Sequence, residues 1–341
     1  MARRKPVRGK RGRAGSGIGK LFVGLIVLGG LAWAAMTYVA PWYRGDAILP
    51  GEKPVEVTVS RGDTLAAAAR KLEAAGVVPS ADRFLMLARL LGSDAAIKAG
   101  EYGFYPSQGW QAHLTRMQSG VPIQRFIAIP EGMPSILVQE KLMAEPLLTG
   151  SVPVPVEGSV LPDSYSFERG EPRKVVLERM QAAMSQELNK LWSARKPGIA
   201  VATPREAVIL ASIVEKETGV PSERRMVAGV YTNRLKRSIP LQADPTVIYP
   251  VTKGKPLGRR ILRSELQAAN GYNTYAMAGL PEGPIANPGR ESIAAVLDPA
   301  RTNALFFVAD GSGGHVFADT LEQHNANVQK WYALRRSRGE M

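Results

Sequence analysis

Between Leu21 and Tyr43 the chain carries no charged residue, and the twenty positions before that run hold eight Lys and Arg and no acid. About 20 apolar residues suffice to cross a bilayer, so the run reads as a transmembrane helix. Such a segment divides the rest of a 341-residue chain between two sides. Trp33, Tyr38, Trp42 and Tyr43 lie toward its far end, where aromatic rings favour the membrane interface. A basic flank before the span and few positive charges directly after it predict a cytoplasmic N-terminus, with everything downstream outside the inner membrane, in the periplasm. Ala32-Trp33-Ala34 loosely resembles a cleavage box, so a removed signal peptide is the competing reading. Against it, the apolar run exceeds the usual 7–15 residues of a signal sequence. No later stretch approaches spanning length, which predicts a single pass.

The net charge of +14 is largely that tail: subtracting its eight cations leaves about +6 for the remainder. A basic tail followed directly by a span argues for membrane lipid and against nucleic acid as its partner. No cysteine occurs, which excludes disulfides, thiol catalysis and thiolate metal sites. His113, His315 and His324 are too scattered to suggest a metal, and no cofactor is expected.

After the basic tail (1–20) and the span (21–43), Pro, Gly and mixed charge mark 44–54 as a linker. In 55–120, Val55, Val57 and Val59 alternate as a strand. Gly62-Asp63 turns the chain, Asp63 or Thr64 caps an alanine-rich helix, a second helix covers Ala81 to Leu91, and IKAGEYGFY closes with a strand. This βααβ order with Gly62-Asp63-Thr64-Leu65 at its first turn resembles a LysM-type module, which binds N-acetylated glycans; the same turn also serves simply as a cap. Residues 121–200 read as a connecting α+β region. A strand lies around Arg125 to Ile129, a helix opens near Ser135, an extended stretch carries prolines 153, 155 and 162, and a helix runs over Val175 to Trp192.

The remaining region, 201–341, holds EAVILASIVEKET, Glu206 to Thr218. Leu210, Ile213 and Val214 precede Glu217 by seven, four and three positions, which stacks them on one helical face with it. Glu217 should face inward, Glu215 should sit near the edge of that face, and Lys216 should point away. Gly219 and Pro221 predict a helix stop with glycine as left-handed cap. Apolar neighbours and the negative helix end both raise a carboxyl pKa, as a general acid requires. The alternative is an ordinary solvated glutamate at a frayed end. A further helix, Glu223 to Lys236, should bury Met226, Val227 and Val230 and lead into a loop; a strand, a glycine turn and a second strand follow near the C-terminus.

SIVEKET, ERRMVAGVYTNRL, LQADPTVIY, YNTY, GLPEGPIANPG and FFVADGSGGHVF, in this order, resemble the MltG (YceG-like) endolytic murein transglycosylases, as does EGSVLPDSYSF upstream. Ser159 stands where an aromatic residue is common, and Glu282 where a second proline is common. The resemblance implies an α+β fold with a lysozyme-like active-site helix, and cleavage of the MurNAc–GlcNAc bond of peptidoglycan without water, leaving 1,6-anhydro-MurNAc. It implies Glu217 as the catalytic acid, with Glu215 the alternative. Glu223, Asn233, Gln242, Asp244, Thr246, Tyr272, Asn273 and Tyr275 become candidate substrate contacts, and penicillin-binding peptidoglycan synthases candidate partners. Two other readings stay open: a muramidase hydrolase using Glu217 with Asp244, and a non-catalytic glycan-binding scaffold.

Overall fold

The computed structural model describes residues 16–34, 45–92 and 95–340. They form two compact units, divided after Ile123.

In the first unit, α1 (Ser16–Ala34) covers the early part of the uncharged run and leaves the Leu, Ile, Val and Phe side chains between Leu21 and Leu31 exposed. None of the helices among the described residues is long and apolar enough to cross a membrane, and positions 35–43 of the predicted span lie outside the described residues. β1 (Val55–Val59) is followed by α2 (Leu65–Ala74), α3 (Ala81–Leu91) and β2 (Gly100–Phe104). The strands pair antiparallel, with Val57 opposite Tyr102 and Val59 opposite Gly100. The turn between β1 and α2 forms because Gly62 adopts φ +87° and the Thr64 hydroxyl accepts from Ala67 N–H at 3.2 Å. Lys71 Nζ, 2.6 Å from Asp63 Oδ2, holds that carboxyl below its ordinary range. Leu72, Phe84, Tyr102 and Phe104 make the core. A helix not anticipated, α4 (Trp110–Ser119), adds Trp110, Leu114 and Met117 to it; Gly109 at its start offers no side-chain cap, the signal that would have announced it. The Gln108 amide donates to Asp46 O at 2.7 Å and Ser107 N–H to Glu52 Oε1 at 3.0 Å, tying the linker to this unit.

The second unit begins with β3 (Arg125–Ala128), α5 (Ser135–Ala144), β4 (Ser164–Phe167) and α6 (Arg173–Ser193). β3 and β4 pair antiparallel, Ile127 opposite Tyr165, over a core of Ile127, Val138, Leu142, Val160 and Met180. Then come α7 (Pro204–Glu217), a 3-10 turn at Pro221–Glu223, α8 (Arg224–Lys236), α9 (Asp244–Thr252), the single turn α10 (Arg263–Leu266) and α11 (Arg290–Leu297). β5 (Phe306–Ala309) and β6 (His315–Ala318) form an antiparallel hairpin, and α12 (Leu321–Ser337) closes the chain. Leu210, Ile213, Val227, Tyr231 and Ile293 share a second core that joins α7, α8 and α11. Asn287, fully buried, fastens the two cores: its Oδ1 accepts from Val160 N–H at 3.0 Å while its Nδ2 donates to Met133 O at 2.9 Å and Ser135 Oγ at 3.1 Å.

Two expectations need correction. Gly219 is not left-handed; extended Thr218, φ −138°, ends α7 and Pro221 opens the next turn. The stretch after α8, expected as a loop, contains α9, because Pro245 falls in its first turn, where a missing N–H is harmless, and Pro250 comes just before its end at Thr252.

Candidate active site

α7 starts where Thr203 accepts from Glu206 N–H at 3.2 Å and Pro204 takes the first position. Leu210, Ile213 and Val214 are all fully buried, and the same face delivers Glu217 at the last turn. The residue keeps partial exposure while its Oε1 is shut off from solvent and has no hydrogen-bond partner. Burial, and secondarily the negative charge of Asp244, push this carboxyl up to about 7; the Tyr231 hydroxyl and the Arg234 guanidinium pull the other way.

Both opposing groups come from α8, three positions apart on one face. Tyr231 is buried and its phenol is raised well above its ordinary value, chiefly by burial, so it stays protonated and able to donate. Arg234 is buried as well. Its Nε donates to Leu305 O at 2.7 Å, and its Nη1 to Leu241 O at 2.8 Å, Pro240 O at 3.2 Å and Gln242 Oε1 at 3.4 Å, while the guanidinium lies 5.2 Å from the Phe306 ring centre. Asp244, exposed at the start of α9, accepts from the Tyr275 hydroxyl at 2.6 Å. Gln242 is exposed in left-handed backbone, φ 53°, with its N–H donating to Thr274 O at 3.1 Å. Glu217, Asp244 and Tyr275 are thus brought together, with Gln242 beside Arg234.

Glu215 has different surroundings. Its side chain is only 5% exposed, Gly289 N–H donates to Oε2 at 2.9 Å, and Arg224 lies 3.5 Å from Oε1 while also binding Glu131 at 2.8 Å. It is a paired carboxylate that ties the end of α7 to the start of α11.

The other candidates are engaged internally. Thr246 and Thr274 share a buried hydroxyl contact of 2.8 Å, and Thr246 also donates to Ala243 O at 2.6 Å. Asn273 is fully buried and donates to Glu265 O, Leu266 O and Ala268 O at 2.9–3.2 Å. Asn233 donates to Thr302 O at 2.8 Å and Ala304 O at 3.0 Å, anchoring the segment before β5. Glu223 accepts from Thr218 Oγ1 at 3.1 Å and His315 N–H at 2.7 Å, and pairs with His315 Nδ1 at 2.8 Å. Tyr272 packs against Tyr249 with ring centres 4.9 Å apart. Asn233, Thr246 and Asn273 therefore shape the site through the backbone they hold.

Residues 57–330 match the YceG-like family. The chain belongs to that family. Among curated proteins, the endolytic murein transglycosylase of Bacillus subtilis is 36% identical over 52% of this chain and 48% of its own length. That of Streptococcus pneumoniae, strain D39, is 28% identical over 90% of this chain and 63% of its own length. This YceG-like chain thus spans between about half and just under two thirds of the curated relatives it matches. A crystal structure of a YceG-like protein from Listeria monocytogenes superposes with a TM-score of 0.50 at 25% identity, covering 81% of this chain and 99% of that one.

Tyr231 and Arg234 of this YceG-like chain escape the sequence reading because α8 is read there from its apolar residues alone. The available signal is a polar pair spaced i, i+3 on the buried side of a helix. A separate cavity of about 340 Å3 is lined by Arg205 and Val208 of α7 and by Met184 and Leu188 of α6. Val208 precedes Glu217 by nine residues, roughly 13 Å along the helix, so this cavity is not the environment of the acid.

Proposed function

We propose that this YceG-like protein is a membrane-anchored endolytic lytic transglycosylase that cuts the MurNAc–GlcNAc bond of peptidoglycan without water and leaves 1,6-anhydro-MurNAc ends. The observation that carries the reading is the contrast between two glutamates two residues apart. Glu215 is ion-paired, whereas Glu217 has an unpartnered, sealed oxygen and a carboxyl still half protonated near neutral pH. A general acid works best with a pKa near the working pH.

The protonated Glu217 gives its proton to the glycosidic oxygen as the C1–O bond breaks, and the GlcNAc side leaves as an alcohol. The resulting carboxylate then takes the proton of the C6 hydroxyl of the same MurNAc, and O6 bonds to C1, closing the anhydro ring. Glu217 ends protonated, ready for the next cycle. Hydrolysis ordinarily uses two carboxyls, whereas this cycle needs one. Gln242, Asp244 and Tyr275 line the approach to the acid and supply polar contacts for sugar.

Names of relatives support the same activity, since the curated proteins from Bacillus subtilis and Streptococcus pneumoniae are endolytic murein transglycosylases. Residues 21–43 serve as a single-pass inner-membrane anchor with the N-terminus cytoplasmic and the catalytic unit periplasmic; the exposed apolar surface of α1 and the basic tail support this. The βααβ unit is a LysM-like glycan contact, and the enzyme trims or terminates nascent strands beside penicillin-binding synthases.

The second reading, a muramidase, draws on Asp244, whose charge reaches Glu217. Mass spectrometry of digested peptidoglycan separates the two: anhydro ends are expected from wild type, and reducing ends in their place would refute the transglycosylase. Loss of cleavage in Glu217→Gln is expected; full cleavage by that variant would remove Glu217 as the acid, and absence of cleavage by wild type would leave the scaffold reading standing.

A further inference from the structure

Arg234 is a buried cation held by uncharged groups. Its hydrogen bonds go to three backbone carbonyls and the Gln242 amide oxygen, and the charged group packs over Phe306. A guanidinium taken out of water ordinarily sits against a carboxylate, because burying an unpaired charge is costly. Here the anion belongs to the site: Arg234 stands one helical turn after Tyr231 on the α8 face turned to Glu217, and the two charges act on each other at longer range. The same side chain grips the turn that carries the left-handed Gln242 and leads into Asp244.

Resting on the transglycosylase reading, we propose that Arg234 is a positioning residue with two duties at once: standing counter-charge to the Glu217 carboxylate formed halfway through the cycle, and clamp for the Gln242–Asp244 turn that borders it. While Glu217 holds its proton, Arg234 is uncompensated. Once the acid has delivered that proton, the pair is charge-balanced and the carboxylate persists long enough to act as base. The clamp fixes where that charge sits, because the planar fork engages Leu305, Leu241 and Pro240 in set directions.

The charged and titratable groups facing Glu217 come from three elements: Tyr231 and Arg234 of α8, Asp244 of α9, and Tyr275 of the loop after α10. α11 and α6 also pack on α7, but Arg290 of α11 pairs with its neighbour Glu291 and with Glu187 of α6. Asp244 and Arg234 are therefore the opposed ionic influences on the acid.

The test is the titration of the Glu217 carboxyl by carbon NMR on glutamate-labelled protein in detergent, assigned by difference from Glu217→Gln. Arg234→Gln should move it upward by about one pH unit, a tenfold change in proton dissociation, and the pH–rate profile should move with it. Arg234→Lys keeps the charge without the fork, so Glu217 should titrate as in wild type while kcat/KM falls severalfold. A folded Arg234→Gln whose Glu217 titrates at the wild-type pH refutes the counter-charge. If that variant does not fold, a Lys variant in which Glu217 shifts by a full unit, or cleavage is undiminished, overturns the proposal. The titration needs no substrate, so it reads Arg234 even if anhydro ends are never found.

Discussion

Glu217 and Glu215 should respond in opposite ways when each is replaced by Gln. The Glu217 carboxyl is raised from its ordinary 4.5 to about 7, so the folded state binds its proton more tightly than the unfolded state does. The sign follows from linkage. The stabilisation is fully present below about pH 4.5 and is lost as pH rises through about 7, because ionising the buried group opposes folding. At 1.36 kcal/mol per unit, the shift is worth about 3 kcal/mol, and the residue's partial exposure reduces this to about 2 kcal/mol. Gln cannot ionise, so the variant should be close to wild type in stability at pH 5 and more stable by about 2 kcal/mol at pH 8.5. Glu215→Gln removes a charge that Gly289 N–H and Arg224 both bind. It should cost about 2–4 kcal/mol at both pH values, softened by the Glu131 contact that Arg224 keeps. Urea unfolding followed by amide exchange in α7, at pH 5 and 8.5, measures both. Parallel stability–pH curves for wild type and Glu217→Gln would refute the reasoning, since they would mean that the carboxyl titrates alike in both states.

Asp244→Asn removes the second cause of the raised acid, so the fall of activity with rising pH should begin at lower pH; the muramidase alternative instead requires outright loss of cleavage, and a pH–rate profile reads either result. His113 is buried against Phe104 and lowered to about 4, first by burial and then by the Arg116 charge. Its neutral form belongs to the fold, so stability present above pH 6.5 should fall by about 3 kcal/mol as pH approaches 4, and His113→Phe should flatten that decline in acid unfolding curves. Asn287→Leu strands Val160 N–H, while Met133 O keeps the backbone N–H of residue 287 and Ser135 Oγ keeps Val156 O, so it should cost about 2–3 kcal/mol in urea unfolding.

Local signals carried the sequence reading wherever the chain announces its own boundaries. α3 begins after a Ser80 cap, and its predicted limits, Ala81 and Leu91, are those observed. α7 is bounded by Thr203 and the Thr218–Pro221 stop, and three buried aliphatics aim its last carboxylate inward. α9 stayed hidden because two prolines mark a loop unless one falls in the first turn and the other near the last, which depends on register. The site was legible as far as the groups that share α7's face. Tyr231, Arg234 and the Arg224–Glu215–Gly289 tie depend on which helices meet, a tertiary fact that periodicity along one segment does not contain.

The last turn of α7 works as a compass. Successive residues on an α-helix point about 100° apart, so Glu215 and Glu217 look in nearly opposite directions from one short rod. Thr203 fixes the rod's start and the Glu215 tie fixes its end, leaving no play in rotation. A single residue inserted between them would swing the terminal carboxylate by a third of a turn toward the scaffold. Every side chain of the site would still be present in the sequence, yet the Glu217 carboxyl would point away from Asp244 and Tyr275.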